Sequence, residues 1–300
     1  MKVVAIFGPT ATGKTAVAIA LAERLRSWGE DPVAVSCDAL QVYRGLETLT
    51  GAPTEAERAR LEHRLVGIAE VGEEFSAGRF AELARAEIDS LLTANRRPIV
   101  VGGTGLYLRA ALSELELRPP VPAAVRATVE AALATAGPEA LHRELEPAVA
   151  AAVHPRDRKR IARALELQRA GLEPPPADGG ELWTARLRHP TLLVGLVVDR
   201  DELAARIDAR VDAMVAAGAA GDARRAEAAG ASRTARAALG FHELLRGDTD
   251  AVKREHRRYA RRQLTWLRRL ADVDLVDRSG RDDGAVAEQI DALLGDNRPR

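Results

Sequence analysis

The first fifteen residues limit what the rest of the chain can become. Residues 2–7 (KVVAIF) are a short apolar run, residues 8–15 (GPTATGKT) come directly after it, and residues 16–22 (AVAIALA) open a helical pattern. The middle segment has the P-loop spacing G-x-x-x-x-G-K-T, with strand before and helix after. Glycines let the backbone turn tightly there, successive N–H groups converge on phosphate oxygens, and the helix N-terminus adds a favourable dipole. Gly8, Pro9, Thr10, Ala11, Thr12 and Gly13 form the candidate cradle. Lys14 supplies a cation for the terminal phosphate, and Thr15 a hydroxyl for Mg²⁺. A di- or triphosphate is the expected ligand, and the motif leaves its identity open.

Composition narrows the partners. The 300 residues are 46% hydrophobic but only 3% aromatic, so an ample core must be built from Ala, Leu and Val. A formal net charge of zero argues against a globally basic nucleic-acid binder, yet arginines concentrate at 156–169 and 254–269. Cys37 is the only cysteine, which excludes a disulfide framework within the chain. No apolar run approaches transmembrane length and no signal peptide is recognisable, so a cytoplasmic protein without membrane contact is expected.

Along the chain, a helix is expected over 13–28 and a strand over 32–36. Asp38 falls just past that strand's end, where an α/β sheet faces its ligand crevice. It reads either as the cap of a short helix or as a general base or indirect Mg²⁺ ligand, in a run dense in polar groups (Gln41, Tyr43, Arg44). A polar helix is expected over 55–65, a helix over 76–94 with Ser76 as a cap, and a strand over 97–101. That strand runs into a second glycine-rich corner, residues 102–108 (GGTGLYL), where glycines would let a ligand approach the backbone and Thr104 offers a hydroxyl. From residue 117 the rhythm breaks. Helices at 123–135, 138–146 and 155–170 lie between proline-rich stretches at 118–122 and 171–176.

These features define an α/β, P-loop NTPase-like parallel sheet with an inserted all-helical domain: 1–117 and 183–300 as core, 118–182 as insertion. In the insertion, Arg156, Lys159, Arg160 and Arg163 share one side of a helix, as a solvated face or a phosphate-backbone contact. Residues 191–198 read as a fully buried parallel strand. In the helix after it, Arg206 and Arg210 share a face at i, i+4, fit to clamp a pyrophosphate or to form a surface salt-bridge face. The last long helix, 252–270, carries an Ala260, Leu264, Leu267 stripe with Arg257, Arg258, Arg261, Arg262, Arg268 and Arg269 on its other faces, which favours a polyanion partner.

Taken in order, the blocks 8–15, 38–45, 75–80, 101–107 (VGGTGLY), 154–166 (HPRDRKRIARALE), 203–214, 239–243 (LGFHE) and 259–266 (YARRQLTW) resemble the tRNA dimethylallyltransferases over nearly the whole chain. The resemblance implies a P-loop core with an inserted helical domain. It implies transfer of a dimethylallyl group from dimethylallyl diphosphate to N6 of the adenosine 3′ to the anticodon, in tRNAs reading codons that begin with U. By the same resemblance Asp38 is the base, Thr104 contacts the donor's bridging oxygen, and Lys14, Thr15 with Mg²⁺ and Arg206 stabilise the departing pyrophosphate; Arg210 joins the donor site by its shared face with Arg206 alone. Asp38, Ala39, Leu40, Gln41 and Thr104 would grip the adenosine and its neighbours in the anticodon stem-loop. Arg126 and the run Lys159, Arg160, Ile161, Ala162, Arg163 would contact the tRNA, and a monomer is expected. The chain departs from the family's usual pattern at Thr12 and Ala39, at Ala52 in place of a lysine, and at Gly67 in place of an aspartate. A free-nucleotide isopentenyltransferase and a P-loop small-molecule kinase are the competing readings.

Overall fold

The computed structural model describes residues 1–115, 117–174 and 180–295. Contacts divide the chain into two compact units, one formed by Met1–Glu114 with Ala185–Arg300 and the other by Leu115–Thr184. Residues 175 and 176 of the second proline-rich stretch, and the tail 296–300, lie outside the described residues.

The first part of the larger unit runs β1 (Val3–Phe7), α1 (Lys14–Ser27), β2 (Pro32–Ser36), α2 (Glu47–Thr50), α3 (Glu55–Arg60), β3 (His63–Arg64), α4 (Ala77–Thr93), β4 (Arg97–Gly102) and α5 (Gly105–Leu112). The smaller unit holds α6 (Ala123–Ala136), α7 (Pro138–His142), α8 (Pro147–Ala152) and α9 (Arg158–Arg169). The larger unit then resumes with β5 (Thr191–Val197), α10 (Arg200–Ala216), α11 (Ala219–Ala228), α12 (Phe241–Leu245), α13 (Thr249–Leu267), β6 (Asp274–Asp277) and α14 (Asp283–Leu294).

The six strands form one parallel sheet in the order β3-β2-β4-β1-β5-β6. Alternation along β1 assigns its side chains to two cores. Val3, Ala5 and Phe7 pack with residues of α4 and α5, and Val4 and Ile6 pack with residues of α1 and α14. Burial on both faces explains why the central strands read as continuous apolar runs. Register then fixes the site. Phe7 pairs with Gly102 on one side and Gly195 on the other, and Ser36 pairs with Val101. The segments after β1, β2 and β4 therefore leave the sheet together at its carboxyl edge, where ligands of open α/β sheets bind.

Some elements differ from expectation. The helix expected over 55–65 stops at Arg60, Leu61 is extended and buried, and His63–Arg64 pairs with β2. A buried leucine that must reach the core cannot continue a helix that has no other buried residue. The helix expected over 138–146 is the short α7, and Pro147 starts a separate helix, α8, with its fixed φ at the first position. Strand β6 pairs with β5 although it alternates too weakly to announce itself, with only Val276 buried.

The smaller unit has its own core of Val129, Leu133, Leu141, Leu145, Ile161, Ala164 and Leu165. Asp157 caps α9, accepting from Arg160 N at 3.1 Å.

One long-range carboxylate braces the larger unit. Buried Asp222 on α11 accepts from the backbone N–H groups of Thr48 (2.8 Å) and Leu49 (3.1 Å) in the first turn of α2, and pairs with Arg225 at 2.6 Å. Asp222→Ala should strand both amides and cost about 2 kcal/mol, read as a lower urea midpoint at unchanged slope.

Candidate active site

The loop between β1 and α1 is built to present donors. Gly13 caps α1 in the left-handed region at φ 77°, and Ala11 takes φ 65°, a conformation a non-glycine residue rarely holds. A Cβ at position 13 would press on the Arg278 guanidinium. No side chain caps α1 and no acidic residue stands in its first turn, so its N–H groups stay available to an anion. Thr12 is buried, its hydroxyl donating to Pro9 O at 2.9 Å. Lys14 Nζ folds back over the loop, donating to Gly8 O at 3.0 Å and Pro9 O at 2.8 Å.

This loop opens into a cavity of about 800 Å³. Thr10, Ala11, Gly13, Lys14 and Thr15 line it from the loop, Asp38, Leu40 and Gln41 from the segment after β2, and Arg210 from α10. Its far wall includes Gly51 and Arg58 from the α2–α3 region, and His256, Tyr259 and Gln263 from α13.

Asp38, Glu47, Glu55 and Glu57 also line the cavity, but its two innermost cations make no direct ion pair. Among the described residues neither Lys14 nor Arg210 has a carboxylate partner. Arg210 donates only to Thr50 O and Gly51 O, each at 3.4 Å, and its Nε is buried without a hydrogen bond. Burial, then the Arg210 charge, pulls the Lys14 ammonium down to about 7, with Asp38 pulling the other way. Burial, then the Asp38 charge, pushes the Tyr259 phenol and the Cys37 thiol up, so both stay protonated. His256 donates through Nδ1 to Val252 O at 3.0 Å, and burial, with Arg210 contributing, holds its imidazole below the usual range.

Asp38 does not cap a helix. Its Oδ1 accepts from Leu40 N at 2.9 Å in a turn, and the next helix begins only at Glu47. Thr104 precedes α5 without capping it; its Oγ1 accepts from Ala39 N at 3.3 Å and lies 3.4 Å from the Tyr259 hydroxyl. Gln41 spans from the Ser36 hydroxyl (3.1 Å) to Gly51 O (3.2 Å). Asp199, past β5, is spent as the cap of α10. Arg206 pairs with Glu202 at 2.5 Å and is not among the residues lining the cavity, so the i, i+4 pair of arginines is split between two environments.

The glycines at the β4–α5 corner serve packing. A Cβ at Gly102, Gly103 or Gly105 would collide with Cys37 O, Gln263 Nε2 or the Trp266 ring. Of these three, only Gly102 also lines the cavity.

In the smaller unit Lys159 and Arg160 are exposed, but Ile161 lies in the core and Ala162 is half-buried. Arg163 donates to Arg118 O (3.2 Å) and Pro119 O (2.8 Å) and pairs with Glu166, which also lies 3.9 Å from Arg126.

Sequence reasoning assigned no role to Gln263 and Tyr259, which reach the cavity from α13. The only signal was two polar residues, i and i+4, interrupting an apolar stripe.

The oxygen donors suit Mg²⁺: the Thr15 hydroxyl and Asp38 carboxylate share the cavity, and such ions take their remaining positions from ligand phosphates and water. Among the described residues no cluster of His, Cys, Asp or Glu would hold a metal by itself.

The fold and the loop at the end of its central strand make this a P-loop α/β protein. Residues 41–270 match the IPP transferase family. A tRNA dimethylallyltransferase of Anaeromyxobacter sp. (strain K) is 44% identical over 286 residues, covering 90% of each chain, and that of Thermobifida fusca is 39% identical over 304 residues, covering 92% of each. The crystal structure of the tRNA isopentenylpyrophosphate transferase of Bacillus halodurans superposes with a TM-score of 0.70 at 34% identity, over 98% of this chain and 96% of that one. A eukaryotic dimethylallyltransferase acting on tRNA shares the fold, with a TM-score of 0.72 at 23% identity, over 93% of this chain and 74% of that one. The chain belongs to the IPP transferase family and is a transferase enzyme. No helix among the described residues is long and apolar enough to cross a membrane.

An anion beside Lys14 must raise its pKa. Between pH 7 and that raised value the free lysine is largely neutral and the bound one charged, so binding takes up a proton there. Calorimetry of pyrophosphate binding at pH 8.5, in buffers of different ionisation heat, should report an uptake of up to one proton that Lys14→Met abolishes.

Proposed function

We propose that the protein transfers a dimethylallyl group from dimethylallyl diphosphate to N6 of the adenosine 3′-adjacent to the anticodon, in tRNAs reading codons that begin with U. The observation that carries this reading is one cavity holding two cations without carboxylate partners, Lys14 and Arg210, opposite an available carboxylate, Asp38. The names of the relatives, tRNA dimethylallyltransferase, supply the donor and the acceptor class.

In the reaction the N6–C1 bond forms as the C1–O bond of the donor breaks. The electron pair leaves with the pyrophosphate, and the N6 proton passes to Asp38. Adenine N6 is a poor nucleophile, so a base beside it contributes about 10²–10⁴-fold. The uncapped N–H groups at the start of α1, with Lys14 and Arg210, receive the charge that develops on the leaving group. Thr104 suits a contact to the bridging oxygen, its hydroxyl free of its own helix. Mg²⁺, held by Thr15 and the phosphates, would neutralise leaving-group charge. Arg206 can join only by leaving Glu202.

On the acceptor side, Leu40 and Gln41 line the cavity beside Asp38, which suits an extruded base, and Ala39 would grip it from the segment its N–H ties to Thr104. Arg126 and residues 159–163 would meet the RNA backbone, with Lys159 and Arg160 as the exposed charges and Arg163 bracing the segment at 118–119. A tRNA acceptor puts the enzyme in the cytoplasm.

Labelled dimethylallyl diphosphate and Mg²⁺, incubated in parallel with unmodified tRNA and with AMP, test the reading. Label in tRNA alone is expected. Label in AMP moves the assignment to free-nucleotide enzymes, and ATP turnover with no label moves it to a kinase. Asp38→Ala should lower turnover at least about 10²-fold with tRNA affinity retained; lost affinity would make Asp38 a structural residue. Lys159→Ala with Arg160→Ala should weaken tRNA binding and reduce its salt slope by about 1 per residue removed, as filter binding across a salt series would report.

A further inference from the structure

Gln263 lies 3% exposed on the buried face of α13, between Ala260 and Leu267. A buried amide is tolerated only when its oxygen and its nitrogen both find partners. Here Oε1 accepts from Thr10 N at 2.8 Å and Nε2 donates to Gly103 O at 2.9 Å. The partners fix the orientation, since a backbone N–H can be met only by the amide oxygen and a carbonyl only by the NH₂. Gly103 leaves room for that nitrogen, which a Cβ would displace. One turn earlier, the Tyr259 hydroxyl donates to the same Gly103 O at 3.3 Å and stands beside the Thr104 hydroxyl.

One side chain thus ties the phosphate-binding loop to the corner that carries Thr104. The pairing of Phe7 with Gly102 ends the sheet before either segment begins. Thr10 N is also withdrawn from the cradle's N–H groups, because Gln263 has taken it.

We propose that Gln263 is a positioning residue for prenyl transfer, fixing the phosphate cradle of residues 8–15 relative to the Thr104 hydroxyl so that the pyrophosphate and the breaking C1–O bond share one geometry. The inference rests on the transfer reading above. Gln263 touches no reacting atom and acts through Thr10 and Gly103.

Two variants test it. Gln263→Met keeps length and loses both hydrogen bonds. Its kcat should fall roughly 10–100-fold, as misplacement by about 1 Å does, and its pyrophosphate affinity should weaken severalfold while tRNA affinity stays within about twofold. Gln263→Glu offers Gly103 O no hydrogen when ionised, but when protonated it accepts from Thr10 and donates to Gly103 as the amide does. Burial raises the pKa of such a carboxyl, so kcat of Q263E relative to the wild type should rise as pH is lowered, and the Q263M ratio should stay flat. Unchanged kcat and pyrophosphate affinity in Q263M, with only a lower thermal midpoint, would overturn the proposal. So would a flat Q263E ratio, which alone decides if Q263M does not fold. A wild type that transfers nothing to tRNA would instead sink the transfer reading, and the pyrophosphate affinities of the two variants would then decide the positioning role.

Discussion

Parallel strands covered on both faces meet solvent only at their ends. In this protein that condition does most of the architectural work. The side chains of β1 are consumed by two cores, so the strand can contribute to chemistry only through the loop that leaves it after Phe7. The same holds for β2 and β4, and the pairing of Ser36 with Val101 and of Phe7 with Gly102 brings all three exits level. Loop, carboxylate and hydroxyl then assemble from distant parts of the sequence without any contact needing to be specified locally.

Electrostatics sets the cavity apart from the surface around it. Where α10 and α13 pack together outside the cavity, two cations of α13 meet carboxylates of α10 directly. Arg257 sits on Asp208 at 2.7 Å, and Lys253 on Asp212. Inside the cavity Lys14 and Arg210 lack that compensation among the described residues, and the lysine is driven toward neutrality. A site that holds two buried cations close, with carboxylates such as Asp38 nearby but none in direct contact, gains from a polyanion that pairs with both. Folding back onto Gly8 O and Pro9 O gives Lys14 dipoles to lean on, with the Asp38 charge acting without direct contact.

How much was legible in the sequence depends on how local each feature is. The phosphate loop, the strand before it and the helix after it are contiguous, and Asp38 needs only the rule about strand ends, so both could be found by reading along the chain. β3 and β6 could not. One has two residues and the other exposes all but Val276, and neither has a periodicity of its own. Arg206 and Arg210 are equivalent by spacing, and only the position of Glu202 separates them. The role of Gln263 depends on an amide 253 positions away, which no window of sequence contains.

The strand order also matters for how the protein is made. β1 is complete at Phe7, yet its neighbour β5 begins only at Thr191, after the whole of the helical unit. At about 5–20 residues per second, one side of β1 waits roughly 10–40 s on the ribosome for its permanent partner. The unit at Leu115–Thr184 has its own core and can condense in that interval, but the first 114 residues cannot close their sheet. Nascent chains on one polysome therefore carry the same open apolar edge side by side, and the insertion lengthens the time during which a neighbour's strand can take the place meant for β5.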